Sequence, residues 1–120
     1  MKEIDEVLKK VKRVHFIGIG GMGMRALAEI LIEKGMHISG SDMKESDYLD
    51  FMRKQGAEIF VGHEAAHVEG ADGVVISSAI SKENPELAAA RQKGIPVYHR
   101  SDVLAAMFHW GRGIAVAGGG

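Results

Sequence analysis

The chain has 120 residues, 46% of them hydrophobic and 26% charged, which suits one compact globular domain and is too short for two. Lys and Arg number 15 against 16 Asp and Glu, and the formal charge of −1 leaves no basic stripe for a nucleic-acid backbone. Cysteine is absent, which excludes a disulfide framework or thiolate metal site and fits a reducing compartment.

Residues 1–13 carry Ile4, Val7, Leu8 and Val11 at helical spacing between charges, which predicts an amphipathic helix packed on a domain of residues 14–120. No apolar run suits a secretory signal or a bilayer span, so the expected setting is the cytoplasm, with no membrane partner. Val14–Ile17 reads as a buried strand ended by Gly18. Ala26, Leu27, Ile30 and Leu31 then recur at helical spacing until Gly35 supplies a stop. A second strand begins at His37–Ser39, a second helix covers residues 46–55, and Glu58–Val61 and Gly73–Ile76 read as further strands. A helix over 85–93, a fifth strand over 96–98, a last helix over 102–109 and a sixth strand over 114–117 complete the pattern. Strands separated by helices favour parallel pairing, because each crossover needs room to return to the same edge. The expected class is α/β: an open, doubly wound, mostly parallel Rossmann-like sheet with helices on both faces.

Gly18-Ile19-Gly20-Gly21-Met22-Gly23 satisfies G-x-G-x-x-G directly after the first strand and at the opening of the first helix. In that position Gly18 allows the sharp turn, Gly20 removes a side chain that would block a phosphate, and Gly23 brings helix and sheet together. Unpaired N–H groups at the helix start then face an anion. Asp42 follows Gly23 by 19 residues, at the end of the second strand, where a carboxylate can accept from ribose hydroxyls. The bland alternative is a tight turn that Asp42 merely caps. The chemistry leaves NAD and other nucleotide diphosphates open.

These residues also resemble a known family. His15 to Met24 is similar to the opening of the UDP-N-acetylmuramate–L-alanine ligases, within the Mur ligase family. The resemblance continues through Ser39-Gly40-Ser41-Asp42, Gly62-His63, Ser77-Ser78-Ala79-Ile80, Asn84-Pro85-Glu86, Ile95-Pro96-Val97 and residues 113–118. It implies a domain that holds the UDP part of UDP-N-acetylmuramate. Gly20, Gly21, Met22, Gly23 and Met24 would cradle the pyrophosphate and Asp42 would meet the uridine end. His63, Ser77, Ser78 and Asn84 would contact nucleotide, phosphate or sugar, and Arg100 an anion. For the two serines, capping of the turn before Asn84 is an equal alternative. The family would continue after Gly118 with Thr-His-Gly-Lys-Thr, an ATP-phosphate loop, where this chain has Gly119 and Gly120. The resemblance therefore implies no catalytic residue and no bound cofactor within these 120 residues. ATP and Mg²⁺ would serve the full-length enzyme, which activates the lactyl carboxylate and couples it to L-alanine. Arg25 stands where the family usually has a small residue; it is expected to point to solvent, with contact to the pyrophosphate as the alternative.

His63-Glu64-Ala65-Ala66-His67 matches H-E-x-x-H, a zinc-protease signature. The segment is squeezed between the third strand and Gly70-Ala71-Asp72, with barely two turns of room and no apolar flank. A third ligand is not evident, although Glu83 or Glu86 can be argued. The expectation is a chance match on a surface turn, with no metal. His15, His37, His99 and His109 are assigned no chemistry. Two other classes stand beside the ligase reading: an NAD-binding or NAD-sensing module, and a docking domain whose glycine loop binds nothing. Ser77–Ile80 followed by Asn84-Pro85-Glu86 has no purpose in NAD chemistry. A related ligase that recycles murein tripeptide differs around its glycine loop.

Overall fold

Val14, His15, Phe16 and Ile17 are all buried on strand β1 (Arg13–Ile17), as happens only where a sheet is covered on both faces. The computed structural model describes residues 12–105 and supplies the rest of that sheet. Strands β2 (His37–Asp42) and β3 (Glu58–Val61) lie to one side of β1. Strands β4 (Gly73–Ile76) and β5 (Val97–His99) lie to the other. The order β3-β2-β1-β4-β5 is parallel at every pairing, so the sheet is doubly wound as expected. Its winding reverses between β1 and β4, which sets a topological switch point at their carboxyl ends.

Helix α1 (Met24–Glu33) buries Met24, Leu27, Ala28 and Leu31, and α2 (Asp47–Lys54) buries Leu49 and Met52. With Val14, Phe16, Ile38 and Val75 they form the larger core, on one face. Helix α3 (Pro85–Gln92) and a 3-10 turn, Ala65–Val68, cover the other face, where Ile17, Val68, Val74, Leu87 and Ala90 pack. Full burial of a Leu or Met side chain contributes roughly 1.5–3 kcal/mol, so these contacts carry most of the folding drive.

Helix starts follow local chemistry. Ser46 accepts from Leu49 N–H at the head of α2, with Asp47 and Asp50 in the first turn and Arg53 and Lys54 in the last. Asn84 Oδ1 accepts from the N–H groups of Glu86 (2.8 Å) and Leu87 (3.3 Å), and Pro85 opens α3. Residues 100–105 are helical, two residues earlier than the spacing predicts. Residues 1–11 of the expected N-terminal helix and the sixth strand lie outside the described residues, and Arg13, placed in that helix from sequence, belongs to β1. Among the described residues, no helix is long and apolar enough to cross a membrane.

Candidate functional site

A cleft of about 340 Å³ opens at the carboxyl ends of the strands, a volume within the usual range for small-molecule sites. Gly18 and Gly21 line it from the loop after β1, Asp42 from the end of β2, His63 after β3, Ser77 after β4, and Asn84 ahead of α3. Six residues singled out from sequence are thus brought to one wall system; Gly20, Met22, Gly23, Met24, Ser78 and Arg100 are not part of its lining. A smaller hollow of about 100 Å³ at the amino ends, around Arg13, His37 and Glu58, is too small for a nucleotide.

The glycine loop is held from below. Gly18 and Ile19 N–H donate to Ser41 O at 2.8 and 2.9 Å, Gly21 N–H to Gly18 O, and Met24 N–H to Gly21 O. Met22 and Gly23 bring N–H groups that no described residue accepts. The glycines act differently from their sequence assignments. Gly20 has ordinary φ, and a Cβ there would stand 2.7 Å from Asp42 Oδ2, so the near neighbour is a carboxylate belonging to the protein. Gly23 lies at φ +81°, in the left-handed region that favours glycine, and caps α1. The Arg100 guanidinium, not the sheet, packs on it, 3.0 Å from where a Cβ would be.

Asp42 is a loop anchor. Oδ2 accepts from Gly20 N–H and Oδ1 from Met43 N–H, both at 2.8 Å. These bonds are the capping that the turn alternative describes, and Asp42 lines the crevice as well. Asp42→Ala is expected to cost roughly 1.5–3 kcal/mol of stability, as loss of a charged acceptor does; Asp42→Asn keeps one acceptor oxygen but sets an NH2 against the other N–H, and should lose an intermediate amount. Denaturant unfolding of the two variants checks this, and an alanine variant as stable as wild type would refute the anchor.

Other assigned residues divide by contact. Ser77 Oγ accepts from Ala79 N–H (3.3 Å), the turn-capping alternative, while Ser78 Oγ meets His99 Nε2 at 3.0 Å. The Met24 side chain is fully buried in the core, whereas Met22 is exposed. Arg25 does not simply point to solvent. Its Nε–H donates to Gly20 O at 2.9 Å, and its guanidinium lies 4.4 Å from the Tyr48 ring centre. Tyr48 OH lies 3.2 Å from both Arg25 O and Glu29 Oε2, between which its single proton is shared, which closes a clamp on the loop's outer side.

The H-E-x-x-H segment is a short turn with Glu64, Ala65 and Ala66 exposed, but its two histidines face inward. The side chains of His63 and His67 are only 13% and 9% exposed, and both turn Nδ1 toward the fully buried Glu86, at 3.2 and 2.8 Å. His15 Nε2 reaches the same carboxylate at 2.6 Å and Ser41 Oγ at 2.7 Å, and Glu64 N–H adds a contact at 3.2 Å. Burial pushes the Glu86 carboxyl up, but hydrogen bonds from His15, Ser41 and His67, with the electrostatic pull of His15, hold it lowered to about 2. Among the described residues, no group of three or more His, Asp or Glu is arranged to hold a metal ion. Glu86 engages the Nδ1 atom of both imidazoles.

Sequence reasoning missed Glu86, His15 and Ser41 as a unit. One signal was available: between Val14 and Phe16 on a strand covered on both faces, His15 must point into the second core and find a partner there.

A doubly wound α/β sheet with a glycine loop at its switch point defines a Rossmann-like domain. Residues 13–110 match the family model described as Mur ligase family, catalytic domain. The chain belongs to the Mur ligase family. Among solved structures it is similar to a UDP-N-acetylmuramate–alanine ligase from Thermotoga maritima, with 33% identity and a TM-score of 0.77 over 81% of this chain and 23% of that one. It is similar also to a UDP-N-acetylmuramate:L-alanyl-gamma-D-glutamyl-meso-diaminopimelate ligase from Neisseria meningitides, at 30% identity and TM-score 0.68, over 74% of this chain and 28% of that one. A murein peptide ligase from Psychrobacter arcticus matches at 24% identity and TM-score 0.66, over 72% of this chain and 18% of that one, a likeness of fold alone. The chain spans between 18% and 28% of the length of these relatives.

Proposed function

We propose that this segment binds UDP-N-acetylmuramate for a ligase that joins the sugar's lactyl carboxylate to L-alanine. The observation that carries the reading is the crevice itself: the glycine loop and the start of α1 stand at the switch point, where sheets of this winding take nucleotides. UDP-N-acetylmuramate stands in the names of two of the similar structures, at 33% and 30% identity, which favours it over NAD. In this reading the segment supplies positioning, a large part of the rate when two reactants must meet in one geometry. ATP and Mg²⁺ would act in a further part of the ligase, and the isolated segment would release no phosphate from ATP.

Calorimetry tests the reading. Affinity is expected to rise from uridine to UMP to UDP, by about tenfold per phosphate, since a charge-assisted hydrogen bond contributes roughly 1.5–3 kcal/mol before salt screening. UDP-N-acetylmuramate should bind at least as tightly as UDP, and NAD more weakly. Uridine binding as tightly as UDP, or NAD binding more tightly than either, would sink the proposal.

A further inference from the structure

The His63 ring stands against two acceptors. Ser41 Oγ donates its single proton to Glu86 Oε1 at 2.7 Å, so toward His63 Nδ1, 3.0 Å away, it can only accept. Glu86 Oε2, 3.2 Å from the same nitrogen, is a carboxylate oxygen and accepts only. Nδ1 must therefore carry a proton. The carboxylate cannot turn away to release it. Oε1 also takes His15 Nε2, and Oε2 takes His67 Nδ1 and Glu64 N–H, so contacts from β1, β2, the loop after β3 and the 3-10 turn fix Glu86. The facing titratable groups are His15, His63 and His67; Glu64, largely exposed, meets His67 from its other side at 3.5 Å. A neutral imidazole protonated at Nδ1 presents a lone pair at Nε2. His63 lines the crevice, and its Nε2 has no partner among the described residues.

We propose that Glu86 is a positioning residue that locks His63 in the Nδ1–H tautomer, so that Nε2 meets the crevice as an acceptor for a sugar hydroxyl of the ligand. This deepens the nucleotide-sugar reading and rests on it. The hydroxyl belongs to the ribose or to the amino sugar, which share this chemistry.

Two substitutions separate the ring nitrogens. His63→Asn puts an amide N–H near the Nδ1 position and keeps the bond to Ser41 and Glu86 but has nothing at Nε2. His63→Gln puts an acceptor near Nε2 and gives up the inner bond. His63→Asn is expected to stay folded and to bind UDP-N-acetylmuramate about three- to tenfold more weakly, with His63→Gln losing less. An equal loss toward UDP assigns the hydroxyl to the ribose, and an unchanged UDP affinity assigns it to the amino sugar. Imidazole ¹⁵N spectra of the ligand-free chain at neutral pH give an independent readout. They should show a protonated Nδ1 and an unprotonated Nε2 at His63, and Glu86→Gln should blur that preference. An Nε2–H or doubly protonated ring would overturn the tautomer, and full affinity in His63→Asn would overturn the contact. A wild-type chain that binds neither ligand would refute the crevice reading and the contact with it, while the spectra would still decide the Glu86–His63 half.

Discussion

Glu86→Ala is expected to be the most damaging polar substitution in the domain, lowering stability by about 3–5 kcal/mol, since several buried donors lose their acceptor at roughly 1–3 kcal/mol each. The cause is not the energy of one bond. Removal of the carboxylate leaves the hydrogen-bonding groups of His15, Ser41, His63 and His67 facing a gap, each desolvated and without its acceptor. Glu86→Gln should do less harm, since an amide oxygen replaces part of the acceptor capacity.

Acid titration of the unaltered chain reads the same cluster without a mutation. The folded Glu86 carboxyl is lowered from its ordinary 4.5 to about 2, so its contribution is complete above about pH 4.5 and disappears as the pH falls through 2. That difference corresponds to about 3 kcal/mol for a fully buried group. Urea midpoints measured between pH 5 and pH 2 should fall steeply in the wild type and more gently in Glu86→Ala. Parallel profiles, or a stability loss under about 1 kcal/mol in Glu86→Ala, would refute the role of Glu86 as the hub.

How far such features can be seen in advance depends on which periodicity carries them. The sheet was legible because β1, β3 and β4 are short, largely apolar runs with a glycine at or beside one end, and most strands are separated by helices of crossover length. The glycine loop was legible because a strand–loop–helix context makes a six-residue pattern specific. The Glu86 cluster was less so, since its members come from five separate segments and only folding unites them. Its signs were present all the same. Glu86 shares a helical face with Ala89 and Ala90, both buried, and so faces the sheet, not solvent. His63 and His67 suggest metal ligation only if residues 63–67 form one α-helix. The chain forms a 3-10 turn from Ala65 to Val68, with His63 outside it. Asp42 was legible in its position at the end of β2 and in its capping alternative, since a side chain there reaches the glycine loop's own N–H.

Gly40→Val should also destabilise the domain, and it ties the core to the crevice. Gly40 lies in the middle of β2, opposite Phe16 and Ile59, and its φ is not in the left-handed region, so backbone strain does not enter. What requires glycine is Ile19, the fully buried variable residue of the G-x-G turn. A Cβ on Gly40 would lie 2.6 Å from Ile19 Cδ1 and 2.7 Å from its Cβ. The contact with Ile19 Cβ cannot be relieved by a rotamer change, because that atom moves only with the backbone. Ile19 N–H is itself bonded to Ser41 O at 2.9 Å, so the loop can rise only by breaking its tie to β2. Overpacking of this kind costs roughly 1–3 kcal/mol, occasionally more, equivalent to a drop in Tm on the order of 4 °C per kcal/mol. Gly40→Ala, which already places the offending Cβ, should show much of the loss. Ile19→Ala retains Cβ but removes the longer atoms, so in a double-mutant cycle it should recover part of the Gly40→Val deficit. The displaced loop carries Gly18 and Gly21, which line the crevice, so UDP affinity should fall together with stability in Gly40→Val and recover in the double variant. Gly40→Val with wild-type Tm, or strict additivity with Ile19→Ala, would mean that the loop is not seated on β2 through this contact.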